Sequence, residues 1–163
     1  MNLNKELTII IVLYRASNVI FECLKSLSNF KIIIVDNGNN EKILNKLNNY
    51  ENIERIISKK KNLGFGNAIN FGFEYIKTNY FLVLNPDAIL DENAIYELLT
   101  VSKRNSNCAI AAPYITSDKD GYSMLPENGK SVIRTREQIN CSKLFNNLKP
   151  SGDLCVQVTK GCT

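Results

Sequence analysis

The 163-residue chain contains no histidine. Histidine is the usual general base of catalytic triads and a common zinc ligand, so its absence excludes His-based triads and most zinc sites. Acid–base chemistry would therefore come from carboxylates. A bound metal would be a hard cation held by oxygen ligands.

Paired cysteines and long hydrophobic runs are also missing. The five cysteines form no C-x-x-C pair and their number is odd, which predicts free thiols. No stretch approaches the roughly 18 apolar residues of a membrane span. The amino terminus lacks the charged start and the small-residue cleavage site of a signal peptide. We therefore expect a cytoplasmic protein.

Composition otherwise indicates an ordinary globular protein. Apolar residues make up 44% of the chain, charged residues make up 22%, and the formal net charge is +4. The densest basic cluster, Lys59-Lys60-Lys61, is typical of a solvated loop, and no nucleic-acid-binding motif accompanies it. The length favours a single domain over residues 1–163, and no nucleic-acid partner is expected.

Apolar runs alternate with helical patterns along the chain. Strands are predicted over 7–13, 31–35, 53–57 and 81–84, and helices over 17–28, 41–48 and 91–103. A further helix is predicted to open within the stretch from Asn62 to Gly72 and to reach about Lys77. Ser17 and Asp91 are the expected helix caps. This alternation predicts an α/β fold with a mostly parallel sheet and helices on both faces. The run Phe81–Leu84 is expected to be buried on both faces.

Weaker patterns follow toward the carboxyl terminus. They predict a short strand over 108–112, a loop or hairpin over 117–130, a short helix over 135–148 and a strand over 154–159.

All four strands of the alternating part are followed by polar or Gly-rich segments. These segments are Tyr14-Arg15, Asp36-Asn37-Gly38, Asn62 to Asn70, and Asn85-Pro86-Asp87. Parallel strands end at one edge of the sheet, so the four segments should converge on one crevice. A carboxylate can accept from a base N–H, a helix N-terminus favours phosphate, and Asp87 can reach a divalent metal. The set suits a nucleotide diphosphate.

Each segment also has a purely structural interpretation. Asp-Asn-Gly is often a tight turn. Asn-Pro-Asp ends a strand, because proline donates no N–H to a sheet. Gly72 could pack beneath the sheet rather than serve a ligand.

Three of these motifs together resemble family 2 glycosyltransferases with the GT-A fold, especially the bacterial rhamnosyltransferase-like branch. They are Val35-Asp36-Asn37-Gly38, the stretch from Asn62 to Gly72, and Leu84-Asn85-Pro86-Asp87. The resemblance covers roughly residues 7–115. It implies transfer of a sugar from a dTDP- or UDP-linked donor to a hydroxyl of a glycan or lipid-linked glycan in surface-polysaccharide synthesis. Inversion at the sugar and use of Mg²⁺ or Mn²⁺ are implied as well.

The same resemblance implies roles for individual residues. Asp36 would contact the nucleobase, and Tyr14 with the Asn62–Asn70 loop would line the nucleoside and ribose. Asn85-Pro86-Asp87 occupies the family's D-x-D position, with Asp87 toward the metal. The implied nucleotide-sugar-binding set is Tyr14, Asp36, Asn37, Asn62, Gly64, Gly66, Asn67, Asn70, Asn85 and Asp87.

The resemblance assigns no catalytic base within the chain. The late carboxylates do not match the family's base position; they are Asp118, Asp120, Glu127 and Asp153. We therefore expect a donor-binding part over about 1–115, an incomplete acceptor part over about 116–163, and a base beyond Thr163. A peripheral position at the inner face of the membrane is compatible with such an enzyme.

Three other readings stay open. A donor-binding module without turnover would share the pocket but lack the base. A nucleotidyltransferase would need a Gly-rich basic loop after strand one, which Tyr14-Arg15-Ala16-Ser17 does not provide. A ligand-free α/β protein would require all four strand-end segments to be coincidental.

Overall fold

The computed structural model describes residues 5–15, 18–38, 41–59, 61–106 and 108–113. Strands and helices alternate in the predicted order. They are β1 Leu7–Leu13, α1 Ile20–Lys25, β2 Lys31–Asp36, α2 Glu41–Leu47, β3 Ile53–Ser58, α3 Phe65–Phe73, β4 Tyr80–Leu84 and α4 Glu92–Arg104. None of the helices in the described ranges is long and apolar enough to cross a membrane.

The chain divides into two compact units, Met1–Tyr96 and Glu97–Thr163. The first unit contains all four strands and the first three helices. In the second unit, the described residues comprise the rest of α4 and the short segment that follows it. The predicted subdivision near residue 115 lies past the last described residue and stays a prediction.

The four strands form one parallel sheet in the order β3-β2-β1-β4. Leu13 lies opposite Asp36, and Asp36 lies opposite Ser58, so these strands end side by side. After β3 the chain crosses to the other side of β1 to form β4. This reversal places a topological switch point between β1 and β4, where open α/β sheets usually bind ligands.

Two hydrophobic cores cover the two faces of the sheet, because side chains alternate along a strand. One core contains Ile9, Ile11 and Leu13 of β1 with Ile20 and Leu24 of α1, and it also includes Leu47 of α2. The other contains Ile10 and Val12 of β1, Ile33 and Val35 of β2, and Ala68 of α3. Helices on both faces were predicted, and the structure confirms them.

Strand β4 differs from its prediction. Only Leu84 is buried, and Phe81 is 41% exposed. Within the described residues β4 is an edge strand that pairs with β1 alone, and α3 packs on β1 and β2. The Phe73 and Phe81 rings pack edge to face, with 5.3 Å between their centroids. The prediction that this strand is buried on both faces was therefore wrong.

Two helices are shorter than predicted. Helix α1 has Val19 as its N-cap and ends at Lys25, whereas Ser17 lies outside the described residues. Beyond Lys25, the Ser26 hydroxyl donates to the Cys23 carbonyl at 2.7 Å, a local bond that competes with helix continuation. Helix α3 ends at Phe73 rather than near Lys77. Its end is tightened by i→i−3 bonds such as Ile76 N–H to Phe73 C=O, at 3.0 Å.

The strand predicted over 108–112 is absent. Ile110 is 69% exposed, and the segment is held by local bonds instead. The Cys108 N–H donates to the Asn105 carbonyl at 2.8 Å, and the Cys108 thiol donates to the Ile110 carbonyl at 3.4 Å. An apolar run needs a neighbouring strand, and the described residues place none beside this one. The loop, helix and strand predicted beyond residue 116 lie outside the described residues.

Candidate nucleotide site at the carboxyl edge of the sheet

The carboxyl ends of the four parallel strands lie along one edge of the sheet. At this edge Tyr14 follows β1, Asp36 ends β2, Ser58 ends β3 and Asn85 follows β4. The predicted convergence of polar strand ends is therefore present. Because the four segments come from different parts of the chain, the arrangement depends on the sheet topology rather than on one local turn.

The carboxylate of Asp36 lies inside the edge rather than on its surface. Asp36 is fully buried. One carboxylate oxygen accepts the Gly38 N–H at 3.3 Å, and the other accepts the Ser58 hydroxyl at 3.0 Å. These contacts hold the carboxylate in one orientation between β2 and β3. Sequence reasoning did not include Ser58 in the site; its position at the end of β3 was the only signal.

Asn37 connects two of the strand-end segments. The residue is 2% exposed, and its side-chain amide nitrogen donates to Asn62 Oδ1 at 2.8 Å and to the Gly64 carbonyl at 3.3 Å. Its Oδ1 accepts the Leu63 N–H at 2.9 Å. Its own backbone N–H donates to the Leu13 carbonyl of β1 at 2.7 Å. The asparagine thus ties the turn before α3 to the ends of β1 and β2.

The entry to α3 combines a turn with a backbone conformation suited to glycine. Gly64 has φ of +83° and is the N-cap of α3, with no side-chain capping bond. Its N–H donates to Asn62 Oδ1 at 2.8 Å, and the Asn67 amide donates to the Leu63 carbonyl at 2.8 Å. Asn67 and Asn70 are both exposed. The first-turn N–H groups of α3 therefore lack a side-chain cap and carry the positive end of the helix dipole.

Glycines of α3 fall into two environments. A Cβ at Gly66 would have nothing within 4 Å, whereas a Cβ at Gly72 would lie 2.9 Å from Ile10 Cγ2 and 3.2 Å from Val35 Cγ2. Gly72 therefore packs against the sheet, as its structural interpretation predicted. Gly66 is compatible with close approach of a ligand to the backbone.

Exposed side chains from β1 and β4 lie at the switch point. Tyr14 and Arg15 follow β1; Arg15 has φ of +49°, and its guanidinium carbon is 5.3 Å from the Tyr14 ring centroid. After β4, Pro86 and Asp87 form a turn in which the Ala88 N–H donates to the Asn85 carbonyl at 3.2 Å. The carboxylate of Asp87 is exposed. An aromatic ring, a guanidinium and a carboxylate are thus available there.

Cys23 of α1 lies behind the Asn85-Pro86-Asp87 turn. Its thiol donates to the Asn85 carbonyl at 3.8 Å. Burial, with a smaller contribution from the negative charge of Asp87, raises the pKa of the Cys23 thiol from 9.0 to about 11. The thiol is therefore protonated at neutral pH and stays a donor. The sequence predicted Cys23 only as a free thiol, which the structure confirms, and did not link it to the site.

A divalent cation fits the residues at this edge in one particular mode. The described residues contain no group of three or more Cys, Asp or Glu side chains that could form a cage. Mg²⁺ commonly binds through one or two carboxylates and completes its shell with substrate phosphates and water. The exposed Asp87 carboxylate suits that mode. Asn85, two residues earlier in the same turn, stands where a D-x-D pattern has its first carboxylate.

A separate groove lies toward the other end of the sheet. Its walls are Ile33, Glu54, Arg55, Tyr75 and Lys77, and the Arg55 guanidinium stacks on the Tyr75 ring at 4.2 Å. Glu54 and Arg55 belong to the start of β3, away from the carboxyl edge. None of the predicted site residues lines this groove.

The family model described as glycosyl transferase family 2 matches residues 8–161. That span includes all four strand ends at the carboxyl edge and all ten predicted binding residues.

Two relatives come from staphylococci. The chain is 29% identical over 147 residues to the teichoic acid poly(glycerol phosphate) polymerase of Staphylococcus epidermidis, a match that covers 83% of this chain and 20% of the relative. It is 30% identical over 101 residues to the poly(ribitol-phosphate) beta-N-acetylglucosaminyltransferase TarP of Staphylococcus aureus, covering 60% of this chain and 31% of that protein. The chain thus spans a third or less of the length of either relative.

A solved structure is similar in fold. The crystal structure of S. aureus TarS 1-349 superposes with a TM-score of 0.51 at 18% sequence identity, covering 61% of this chain and 32% of that one. The match agrees with the predicted GT-A fold, which the parallel sheet with helices on both faces confirms.

Proposed function

The chain belongs to glycosyl transferase family 2, and from that premise we propose that it binds a nucleotide-diphosphate sugar at the carboxyl edge of its sheet for transfer to a hydroxyl acceptor. The observation that carries the proposal is the convergence of four polar strand ends on one edge, with a switch point between β1 and β4.

Each part of the nucleotide has a chemically suitable neighbour in this proposal. Asp36 is assigned to the base, because a carboxylate can accept from a base N–H. Its carboxylate is buried against Gly38 and Ser58 in the ligand-free protein, so this contact requires the end of β2 to open when the donor binds. Tyr14 and the Asn62–Asn70 segment line the nucleoside and ribose. The uncapped first turn of α3 offers N–H groups to negative charge. Asp87 and Asn85 lie toward the diphosphate across the switch point.

Asp87 would hold Mg²⁺ or Mn²⁺ together with the diphosphate oxygens, because a single exposed carboxylate suits shared coordination. When bound, such an ion neutralises negative charge on a leaving diphosphate. The chain's own residues would then orient the donor so that its anomeric carbon faces the acceptor. We propose inversion at that carbon, with a carboxylate deprotonating the attacking hydroxyl.

We propose a surface polymer as the acceptor class. The names of the two staphylococcal relatives refer to polyol-phosphate chains, and these chains offer free hydroxyls. A dTDP- or UDP-linked donor, with rhamnose as one candidate sugar, remains our proposal for the other substrate. A hydroxyl on a glycan or lipid-linked glycan fits the same chemistry.

Donor binding without turnover is the second candidate. This candidate is favoured because the two carboxylates at the described strand ends, Asp36 and Asp87, already have other roles, so neither is left to act as the catalytic base. Asp36 is buried against Gly38 and Ser58, and Asp87 is assigned to the metal. A transfer assay with release of the nucleotide diphosphate separates the two candidates.

The first test is a thermal-shift titration with UDP, dTDP and GDP, each with and without Mn²⁺. A ligand at about 100 times its Kd stabilises the native state by roughly 2.7 kcal/mol, which raises Tm by several degrees in a domain of this size. We expect a metal-dependent rise for a pyrimidine diphosphate. No rise with any nucleotide would remove the proposed site.

Replacement of Asp87 tests the metal role. Asp87→Ala should abolish the Mn²⁺-dependent part of nucleotide affinity while leaving Tm of the ligand-free protein unchanged, because the side chain is exposed. Glu51→Gln is the matched control, since it removes an exposed charge before β3, at the opposite end of the sheet. Isothermal titration with and without Mn²⁺ measures both variants. Equal metal dependence in Asp87→Ala and wild type would eliminate the assignment.

A further inference from the structure

Asn37 makes three side-chain hydrogen bonds at the carboxyl edge of the sheet. It is almost completely buried, and three of its side-chain bonds reach residues 25 to 27 positions later in the chain. A buried amide that lost such partners would leave unsatisfied groups, which is costly. Its three side-chain bonds all go to one turn, residues 62–64.

Those bonds leave the amide little capacity for a ligand. A carboxamide nitrogen has two N–H donors, and in Asn37 they go to Asn62 Oδ1 and the Gly64 carbonyl. The oxygen accepts the Leu63 N–H. Asn37 was predicted as a nucleotide-sugar contact, but its donors are already used inside the protein.

The turn that Asn37 holds leads directly into α3. Gly64 is the N-cap of that helix, and Asn62 Oδ1 accepts from both the Asn37 amide and the Gly64 N–H. Asn37 is also fixed to β1, through its N–H and the Leu13 carbonyl at 2.7 Å. A displacement of Asn37 would therefore move the α3 entry relative to Asp36.

We propose that Asn37 is a positioning residue, which fixes the 62–64 turn and the α3 entry beside Asp36 without contacting the nucleotide. This inference rests on the proposed function, because it assigns the positioned elements to the nucleotide site. Under this proposal Asn37 no longer contacts the nucleotide sugar but holds the 62–64 turn in place. The proposal predicts that loss of its side chain weakens binding of every nucleotide equally.

The experiment compares Asn37→Ala with wild type in two measurements. The first is amide hydrogen exchange of Leu63 by NMR in the ligand-free protein. We expect exchange at least about tenfold faster in the variant, because the Leu63 N–H loses its acceptor. The second is the Kd of UDP, dTDP and GDP, each with Mn²⁺. We expect all three to weaken by a common factor of about ten or more, with their ranking unchanged.

Asn52→Ala is the matched control. Asn52 also holds a loop through its amide, which donates to the Leu27 carbonyl at 3.0 Å and the Phe30 carbonyl at 3.2 Å. These contacts lie at the amino ends of β2 and β3. This variant should lose stability by a similar amount but leave nucleotide affinity and Leu63 exchange at wild-type values. The comparison separates positioning from general destabilisation.

Asn37→Asp replaces Asn37→Ala if the latter does not fold. It keeps the acceptor for Leu63 and the shape of the side chain, but it removes both donors to the turn. We expect normal Leu63 protection, faster exchange at Gly64 and the same uniform loss of affinity. Gly64 exchange reports on the turn because its N–H depends on the position of Asn62 Oδ1.

The possible results discriminate between the two proposals. A change in the ranking of the three nucleotides would overturn the positioning role and indicate direct contact. Wild-type affinity together with wild-type exchange at Leu63 would overturn it as well. If wild type binds no nucleotide, the proposed function fails. Exchange at Leu63 then still decides whether Asn37 fixes the turn.

Discussion

Single residues at the carboxyl edge have roles that the sequence pattern could not separate. The Gly-rich stretch from Asn62 to Gly72 predicts either ligand approach or packing beneath the sheet. The structure assigns a left-handed backbone to Gly64, open space to Gly66 and a sheet contact to Gly72. The sequence could not distinguish them, because what surrounds each glycine belongs to strands far away in the chain.

Gly66 and Gly72 form a matched pair for mutation. Gly72→Ala should lower the free energy of unfolding by about 1–3 kcal/mol, the usual cost of overpacking, since its Cβ would lie 2.9 Å from Ile10 Cγ2. Gly66→Ala should leave stability unchanged or raise it by about 0.5–1 kcal/mol, because alanine favours a helix. Urea unfolding monitored by circular dichroism measures both.

Nucleotide titration of Gly66→Ala adds a functional result to this comparison. If the backbone at Gly66 approaches the ligand, affinity should fall although stability does not. Gly72→Ala serves as the stability-only counterpart. A loss of stability in Gly66→Ala as large as that in Gly72→Ala would contradict the open environment of Gly66.

Among secondary-structure elements, strands were easier to predict than helix ends. Apolar, β-branched runs predicted β1 over the same seven residues and β2 and β3 to within one residue at their ends. Helix ends depend on hydrogen bonds that compete with the helix, such as Ser26 to the Cys23 carbonyl. The apolar sequence of β4 predicted correctly that it is a strand. It predicted burial on both faces incorrectly, because burial depends on which elements lie beside the strand.

Helix α4 begins at a cap that the sequence identified. Asp91 Oδ1 accepts the Asn93 N–H at 2.9 Å, and its negative charge lies at the positive end of the helix dipole. Asp91→Ala should therefore lower the free energy of unfolding by about 0.5–2 kcal/mol. Thermal and urea unfolding measure the loss.

Asp91→Ser is the control for the cap, because serine also accepts the first-turn N–H. It should retain most of the stability that alanine loses. Equal losses in the two variants would show that the capping bond does not stabilise α4. In that case the Asp91 charge alone would account for the effect.

For the molecule as a whole, the sequence predicted the topology of the site better than its contacts. Alternating strands and helices predict a parallel sheet, and a parallel sheet brings the strand ends to one edge. The hydrogen bonds that organise that edge join Asp36 to Ser58 and Asn37 to the 62–64 turn, across 22 to 27 residues. No local pattern encodes these pairs, so their roles emerge only from the folded chain.

Stability of the whole molecule should decrease in alkaline solution because of Cys23. Burial raises the pKa of its thiol to about 11, against 9.0 for an ordinary cysteine. Between these values the unfolded chain loses the proton and the native state keeps it. The unfolded state therefore binds fewer protons, and the free energy of unfolding falls as pH rises. At about 1.4 kcal/mol per pKa unit, the loss reaches roughly 2 kcal/mol at pH 10.5, which lies about 1.5 units above the pKa of an ordinary thiol.

Urea unfolding at pH 8 and pH 10.5, with a reductant present, measures this loss. Cys23→Ala is the comparison, because it removes the titrating thiol but leaves other alkaline groups, such as Lys25 with its raised pKa beside Glu22. The variant should be less stable at pH 8, since it leaves a cavity in the core around α1, but should lose less stability on going to pH 10.5. An equal loss in both proteins would mean that the Cys23 thiol ionises as readily in the native state as in the unfolded chain. The Cys23 thiol would then not be protonated at that pH and could not donate to the Asn85 carbonyl.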